Sequence, residues 1–214
     1  MKLIEMSLMN FANEVDSLSP APGGGSCSAY SSAVGVSLSR MMAKLSFGKK
    51  KFEIHDESIK KDFEIAYEEL NVIKEELFNL VDKDTESFNE VMKAIKMPKD
   101  TEEEKLLRKD ALEFATWGSI EVPYQIAKLS QEAMEKMEII LNYGNENALT
   151  DIGVAYLMCA SGAEGAILNV KINLGSVADI ERGKNLESQC NKILEHVRAK
   201  RDTVLDRIHD NLKM

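Results

Sequence analysis

The sequence has few aromatic residues, few prolines and few cysteines. Among 214 residues, aromatic side chains make up 6%, with four prolines and three cysteines. Because Cys27, Cys159 and Cys190 are odd in number and widely spaced, we expect reduced thiols in a cytoplasmic protein rather than a disulfide framework. No run of 18 or more apolar residues is present, so the sequence predicts no membrane span. Glu5 interrupts the apolar start, so we expect no secretory signal there.

Positive charge is also scarce. The chain carries 27 lysines and arginines against 36 acidic residues, for a net charge of -9. Nucleic acid is therefore not an expected partner, since its binding is driven mainly by neutralisation of phosphates. The run GKKKF at 48–52 is the exception. It could attract a polyanionic small molecule, or it could be a solvated loop.

Several motifs that carry well-known chemistries are absent. The sequence has no CxxC pair and no HExxH, which argues against zinc, and no GxxxxGK[ST], which excludes a P-loop. GGSCS at 24–28 does not match the pattern of a nucleophile elbow. His55, His196 and His209 are scattered, and we expect structural or surface roles for them. Acid–base chemistry in this chain would therefore use a carboxylate or a lysine.

Strong helix formers dominate the composition, and the apolar periodicity is helical nearly throughout. We predict an all-α antiparallel helical bundle, a single domain over 1–214 with a long C-terminal helix. The predicted helices cover about 7–17, 26–45, 56–95, 100 onward, 150–172 and 183–212. Pro98 should end the third of these, and Pro123 should kink or break the fourth. The helices at 26–45 and 150–172 are rich in small residues, so we expect them to be close neighbours.

The segment PGGGS at 22–26 contains three consecutive glycines immediately before a predicted helix. Glycine adopts left-handed backbone angles without a Cβ penalty, so successive N–H groups here could form an anion-binding nest. The helix N-terminus adds further free donors. Ala29 stands three residues after Ser26, where a capping box would place Glu or Gln, so these donors are less fully satisfied. The alternative is an ordinary loop with a serine cap.

Two aspartates, Asp82 and Asp84, interrupt the long third helix. Positions two apart point to nearly opposite sides of a helix, so we expect Asp82 to meet water and Asp84 to project from the apolar face. Burial of a carboxylate raises its pKa, which suits proton-transfer chemistry. The alternative for Asp84 is a structural pairing with a buried lysine or with a helix end.

Three further polar residues are candidates. Asp151 lies at the start of its predicted helix, where capping is the simplest role. Asn169 and Asn173 are four apart and share a face, so their amides could recognise a heterocycle or could cross-link helices.

Taken together, five segments resemble the cyclodeaminase/cyclohydrolase family, which includes the C-terminal domain of formiminotransferase-cyclodeaminase and stand-alone methenyltetrahydrofolate cyclohydrolases. They are SPAPGGGS at 19–26, FGKKKFE at 47–53, LVDKDTESF at 80–88, MPKDTEEEK at 97–105, and TDIGVA with LNVKINL in 150–174. The resemblance implies an all-helical, usually dimeric enzyme acting on one-carbon tetrahydrofolates, without metal or redox cofactor.

The resemblance also implies roles for individual residues. Asp84 matches the second aspartate of LVDxD, the family's catalytic acid/base. Lys49 and Lys50 match a basic pair suited to a polyglutamate tail, and Thr150 replaces the usual serine. The implied folate-binding positions are Gly23, Gly24, Gly25, Ser26, Lys49, Lys50, Asp151, Asn169 and Asn173.

The resemblance leaves the reaction open. We expect the stand-alone form, which favours hydrolysis of 5,10-methenyltetrahydrofolate to 10-formyltetrahydrofolate. The alternative is cyclodeamination of 5-formiminotetrahydrofolate to the methenyl form with loss of ammonia. A non-catalytic folate- or anion-binding helical dimer and a structural adaptor are further alternatives.

Overall fold

Seven α-helices account for most of residues 2–212, the part of the chain that the computed structural model describes. They are α1 (Leu8–Val15), α2 (Gly24–Lys44), α3 (Lys50–Glu53), α4 (Glu57–Ile95), α5 (Glu102–Tyr143), α6 (Leu149–Leu174) and α7 (Ile180–Asn211). Short 3₁₀ helices cover Leu3–Glu5 and Glu146–Ala148. The described residues contain no strand, which confirms the predicted all-α bundle.

The helix boundaries follow local capping chemistry. Thr101 and Glu104 form a capping box at the start of α5, in which the Glu104 N–H donates to Thr101 Oγ1 at 3.2 Å. Asp179 caps α7 by accepting from the N–H of Arg182 at 3.0 Å. α4 ends at Ile95, ahead of Pro98, as predicted. The short helix α3 was not predicted, and it occupies the lysine run.

α2 and α6 pack against each other in antiparallel directions at very short range. A Cβ at Gly35 would lie 2.8 Å from the carbonyl oxygen of Ala155, and one at Gly162 would collide with the Ser32 hydroxyl. Small side chains are therefore required on both helices, since any larger group would force the backbones apart. The predicted pairing of the two small-residue helices is confirmed.

One segment of the described residues, Glu146–Leu174, is long and apolar enough to cross a membrane by length and composition. Of its most apolar stretch, 56% is buried inside the bundle. Ile152 and Tyr156 of α6 are fully buried there, and Tyr156 donates a hydrogen bond from its hydroxyl to the Met134 carbonyl of α5 at 2.9 Å. Such burial is typical of the core helix of a bundle.

The bundle has two ends that matter for the site. We call the end with the first turn of α2 (Gly24 onward) and Asn169 of α6 the glycine end. We call the end with α3 and the start of α6 the lysine end, where Lys51 pairs with Glu146 at 2.8 Å. At 1.5 Å per residue, the 21 residues of α2 separate the two ends by about 30 Å.

The sequence predicted that Pro123 would kink or break its helix, and the structure shows that α5 is not broken there. The helix runs without interruption from Glu102 to Tyr143, and Pro123 is buried within it. A proline lacks the N–H that would bond to the carbonyl four residues earlier, which here belongs to Ser119. Asn173 of α6 donates from Nδ2 to that carbonyl at 3.0 Å. The neighbouring helix therefore replaces the missing intrahelical donor, and the interruption costs less than it would in isolation.

We expect Asn173→Ala to lower the free energy of unfolding by about 1–3 kcal/mol, because it leaves the buried Ser119 carbonyl without a donor. In a Pro123→Ala background this cost should largely disappear, since residue 123 regains an N–H four residues after Ser119. A double-mutant cycle by urea denaturation measures the coupling.

The exposed Asn185 of α7 supplies the matched control. Asn185→Ala should show no coupling to Pro123→Ala. Equal costs of Asn173→Ala in both backgrounds would contradict the repair of α5 by Asn173.

Candidate functional site

The carboxylate of Asp84 lies against the first turn of α2 at the glycine end. Asp84 Oδ2 accepts a hydrogen bond from the Ser26 N–H at 2.8 Å and lies 3.1 Å from Ser26 Oγ. Gly23 occupies the N-cap position of α2 and has no side chain with which to cap it. Asp84, from α4, therefore supplies to the third residue of α2 the acceptor that an N-cap side chain normally provides. The structural alternative for Asp84, pairing with a helix end, is present in the structure, and a chemical role is compatible with it.

The glycines have a steric role rather than the conformational one that the sequence suggested. None of Gly23, Gly24 and Gly25 has a positive φ, so the predicted left-handed nest is not formed. They form the cap and first turn of α2 instead. A Cβ at Gly25 would collide with Asp84 Oδ1, and one at Gly24 would lie 2.9 Å from Asn169 Nδ2. Glycine is required here because two side chains from other helices approach the backbone.

The first turn of α2 keeps two free donors beside the carboxylate. Within residues 2–212, no hydrogen bond satisfies the N–H groups of Gly24 and Gly25, whereas the Ser26 N–H is taken by Asp84. The sequence predicted unsatisfied N–H donors at this helix end. The prediction is correct for the N–H groups of Gly24 and Gly25 but not for that of Ser26. Gly24 is exposed, so a ligand oxygen can reach this turn.

The electrostatics of the site centre on Asp84. Burial raises the pKa of the Asp84 carboxyl, and the two hydrogen bonds from Ser26 oppose that rise. Burial and then the nearby Asp84 carboxylate raise the pKa of the half-buried Cys27 thiol. Sequence reasoning treated Cys27 only as a reduced thiol, although its place next to Ser26 was a signal that it borders this site.

Asp82 does not simply face water, which corrects the prediction. Its Oδ1 accepts a hydrogen bond from the Leu3 N–H at 2.6 Å, and within residues 2–212 its buried Oδ2 has no hydrogen-bond partner. The 3₁₀ helix Leu3–Glu5 packs on α4 at this point and covers the side chain. The periodicity of α4 alone could not show this, because the covering segment lies 79 residues away in sequence.

The two asparagines of α6 have different surroundings. Asn169 lies beside Gly24 and donates from Nδ2 to the Gly165 carbonyl at 2.8 Å. Asn173 is engaged with Ser119 of α5, which is the cross-linking alternative considered for it. Asn169 is therefore a polar group beside the glycines. The amide nitrogen of Asn173 is instead bonded to Ser119 of α5.

Lys49, Lys50 and Asp151 lie at the lysine end, away from Asp84. Lys49 precedes α3 and Asp151 is in the first turn of α6, 18 residues before Asn169, or about 27 Å along the helix axis. Within one chain, the structure does not bring these three residues together with Asp84. The positions that the resemblance implied are therefore divided between the two ends of one chain.

Two surface cavities lie outside this site. One, of about 350 Å³, is on the outer face of α4, and another, of about 230 Å³, is at the turn between α6 and α7. Asp84 lines neither of them. Residues 2–212 contain no group of three or more His, Cys, Asp and Glu side chains arranged to hold a metal ion. The site thus consists of a half-buried carboxylate, two main-chain donors and one amide around the first turn of α2.

We expect Asp84→Asn to raise the melting temperature at pH 8. The pKa of Asp84 in the folded state lies above the ordinary aspartate value of about 3.9. The folded protein is therefore most stable when Asp84 is protonated, and its free energy of unfolding falls as the pH rises through the folded-state pKa. Asparagine keeps an oxygen for the Ser26 N–H and removes the charge. The gain in melting temperature over wild type should therefore shrink as the pH falls toward 4.

Asp62→Asn is the matched control, because it removes the same charge from an exposed position of α4. It should leave the melting temperature nearly unchanged across this pH range. A lower melting temperature for Asp84→Asn at pH 8 would show that capping of α2 by the charge outweighs its burial.

Comparison with known proteins identifies the family. The formiminotransferase-cyclodeaminase family model matches residues 7–192. A methenyltetrahydrofolate cyclohydrolase of Methylorubrum extorquens is 30% identical over 97% of this chain and 96% of its own. A formimidoyltransferase-cyclodeaminase of Mus musculus is 29% identical over 95% of this chain, which spans 37% of that relative's length. The crystal structure of a formiminotetrahydrofolate cyclodeaminase from Thermotoga maritima matches with a TM-score of 0.76 and 26% identity, covering 96% of this chain and 95% of that one. The chain therefore belongs to the formiminotransferase-cyclodeaminase family.

Proposed function

We propose that this protein is a folate one-carbon enzyme that hydrolyses 5,10-methenyltetrahydrofolate to 10-formyltetrahydrofolate, with Asp84 as the acid/base. The observation that carries the proposal is the half-buried Asp84 carboxylate, held by Ser26 beside the free N–H groups of Gly24 and Gly25. The whole-length likeness to a methenyltetrahydrofolate cyclohydrolase supports the choice of substrate.

The chemistry of the substrate matches a single carboxylate. Methenyltetrahydrofolate carries a cationic amidinium carbon between N5 and N10, and that carbon is electrophilic. An ionised carboxylate stabilises the adjacent cation and is a base for an attacking water. A raised pKa makes this carboxylate a stronger base, and at a given pH a larger fraction of it holds the proton that must be returned.

The reaction then proceeds in two proton transfers. Water adds through its oxygen to the amidinium carbon while Asp84 accepts one proton. Asp84 next gives that proton to N5, the bond between the carbon and N5 breaks, and the remaining hydroxyl proton is released to solvent as the formyl carbonyl forms. The net change is the addition of one water and the release of one proton. The free N–H groups of Gly24 and Gly25 are the donors available to a folate oxygen.

Cyclodeamination of 5-formiminotetrahydrofolate is the second candidate. It is favoured by the likeness to the Thermotoga maritima formiminotetrahydrofolate cyclodeaminase, because this chain covers 95% of that protein's length. N10 attacks the formimino carbon, and the nitrogen that leaves as ammonia must first be protonated. Asp84 can perform both proton transfers, so the same site serves either reaction. We propose no cofactor beyond the folate for either one.

The other implied binding residues divide between the two ends. We assign Gly23, Gly24, Gly25 and Asn169 to the folate site around Asp84. Lys49, Lys50 and Asp151 remain candidates for the polyglutamate tail and for polar contacts. Because they lie about 30 Å from Asp84 along α2, we propose that they serve the site of a second copy or the far end of an extended tail.

We further propose that the protein is a cytoplasmic homodimer. α6 is largely buried, yet Leu157, Leu168 and Ile172 are 44%, 65% and 74% exposed. The helical spacing of these residues places them on one face. An apolar face on the central helix is suited to burial against a second copy.

We expect Asp84→Asn to slow hydrolysis by about 10²–10⁴-fold, since it removes the acid/base while keeping the shape of the side chain. Loss of the near-ultraviolet absorbance of methenyltetrahydrofolate, corrected for the uncatalysed rate, measures this. In the wild type, kcat/KM should fall with acid at a higher pH than an ordinary aspartate would cause, because the base must be ionised.

The exposed Asp62→Asn variant should retain full activity. Formiminotetrahydrofolate tested side by side separates the two reactions, because its cyclisation raises the absorbance that hydrolysis lowers. Unchanged hydrolysis by Asp84→Asn would remove Asp84 from this role.

For the dimer, we expect Leu168→Glu to reduce the mass measured by light scattering from twice the 23.9 kDa of one chain to that of a single chain. Burying a new carboxylate in the interface is the physical cause. Ile65→Glu, at a residue of α4 that is 45% exposed, is the control and should leave the mass unchanged. A wild-type protein of single-chain mass would contradict the dimer.

A further inference from the structure

Ser26 has a hydroxyl group surrounded by oxygens. Its Oγ lies 2.8 Å from the Val81 carbonyl, 3.1 Å from Asp84 Oδ2 and 3.3 Å from Thr85 Oγ1. Ser26 is fully buried, so no part of its side chain is exposed to solvent or to a ligand at this site. A hydroxyl has one proton, so it can donate to the Val81 carbonyl or to Asp84 at any moment but not to both.

We propose that Ser26 is a positioning residue whose hydroxyl rotates between Asp84 and the Val81 carbonyl, so that it satisfies both protonation states of the acid/base. This inference rests on the proposed function of Asp84. It also replaces the implied role of Ser26 as a direct ligand of folate, because its N–H and its hydroxyl are both engaged within the protein.

The ionised state of Asp84 is served by one orientation of the hydroxyl. Ser26 then donates from both its N–H and its Oγ to Asp84 Oδ2, so the buried charge receives two hydrogen bonds. Thr85 Oγ1 can donate to Ser26 Oγ at the same time. The Val81 carbonyl lies inside α4, where the helical hydrogen bond from residue 85 satisfies it, so no buried acceptor is abandoned.

The protonated state is served by the other orientation. With Asp84 protonated on its other oxygen, Oδ2 is neutral and keeps the Ser26 N–H, while the hydroxyl of Ser26 donates to the Val81 carbonyl at 2.8 Å. Every heavy atom stays in place, and only the hydroxyl proton changes direction. A carboxylate that alternates between base and acid therefore has matched partners at each stage, with no reorganisation of the helices.

The other titratable and amide side chains near Asp84 form no hydrogen bond to its carboxylate among the described residues. From α2 the titratable neighbour is the Cys27 thiol, whose pKa the carboxylate raises. From α6, Asn169 faces the same turn across Gly24. The carboxylates of Asp82 on α4 and Glu113 on α5 are directed elsewhere, to the Leu3 N–H and to Trp117 with the Ala178 N–H.

The test is the titration of Asp84 by ¹³C NMR of its carboxyl carbon in the free protein, with the signal assigned by its loss in Asp84→Asn. We expect Ser26→Ala to move this titration to higher pH, because the ionised form loses a donor while the main-chain N–H remains. In turnover, kcat/KM on the acidic limb should fall about tenfold, with the profile displaced in the same direction.

Ser32→Ala is the matched control, since Ser32 is fully buried on the same helix but its hydroxyl bonds to Ser130 of α5 at 2.6 Å. It should leave the Asp84 titration unchanged. Ser26→Thr keeps the hydroxyl and should restore the wild-type titration. If the added methyl prevents folding of that variant, the comparison of Ser26→Ala with Ser32→Ala still decides.

An Asp84 titration that does not move in folded Ser26→Ala, or that moves equally in Ser32→Ala, would overturn the inference. This titration needs no turnover. Failure to convert either folate would refute the proposed function in a separate assay, so the two failures are distinguishable.

Discussion

The hydrogen bonds between the Asp84 carboxylate and Ser26 are the interaction on which the site depends. They join α4 to the first turn of α2, where Gly23 provides no cap of its own. The same contact requires glycine at position 25, because a Cβ there would collide with the carboxylate. One side chain thus completes a helix, determines the neighbouring sequence and presents a half-buried acid beside two free main-chain donors.

This arrangement sets stability against chemistry. Burial raises the pKa of Asp84, which means that the folded protein holds the charged form at a cost in free energy at neutral pH. Ser26 reduces that cost without removing it. A surface aspartate would avoid the cost, but its ordinary pKa would make it a weaker base in the first half of a proton-transfer cycle. In the folate reaction that we propose, Asp84 makes both transfers.

Polar residues that look alike in sequence have separate duties in the bundle. Asn169 borders the glycines, whereas Asn173 replaces the hydrogen bond that Pro123 cannot make in α5. Asp84 caps α2, whereas Asp82 holds the Leu3 N–H of the N-terminal 3₁₀ helix. In each pair, the role of the side chain is determined by the residue it contacts, and that residue is distant in sequence. The lysine end, with Lys49 and Lys50, lies about 30 Å from the first turn of α2 along that helix.

Sequence patterns alone were enough to predict every helix except the short α3, the close pairing of α2 with α6, and the place of Asp84 on an apolar face. These follow from periodicity, side-chain size and capping, which act over a few residues. Only the tertiary structure shows that Asp84 bonds to Ser26 and that α5 continues through Pro123. It also shows that glycine is needed because a Cβ would collide with neighbouring side chains, and not because the backbone has left-handed angles. It also decided that Lys49, Lys50 and Asp151 lie at the far end. Each of these depends on contacts between helices distant in the chain, and no local pattern records which atoms they bring together.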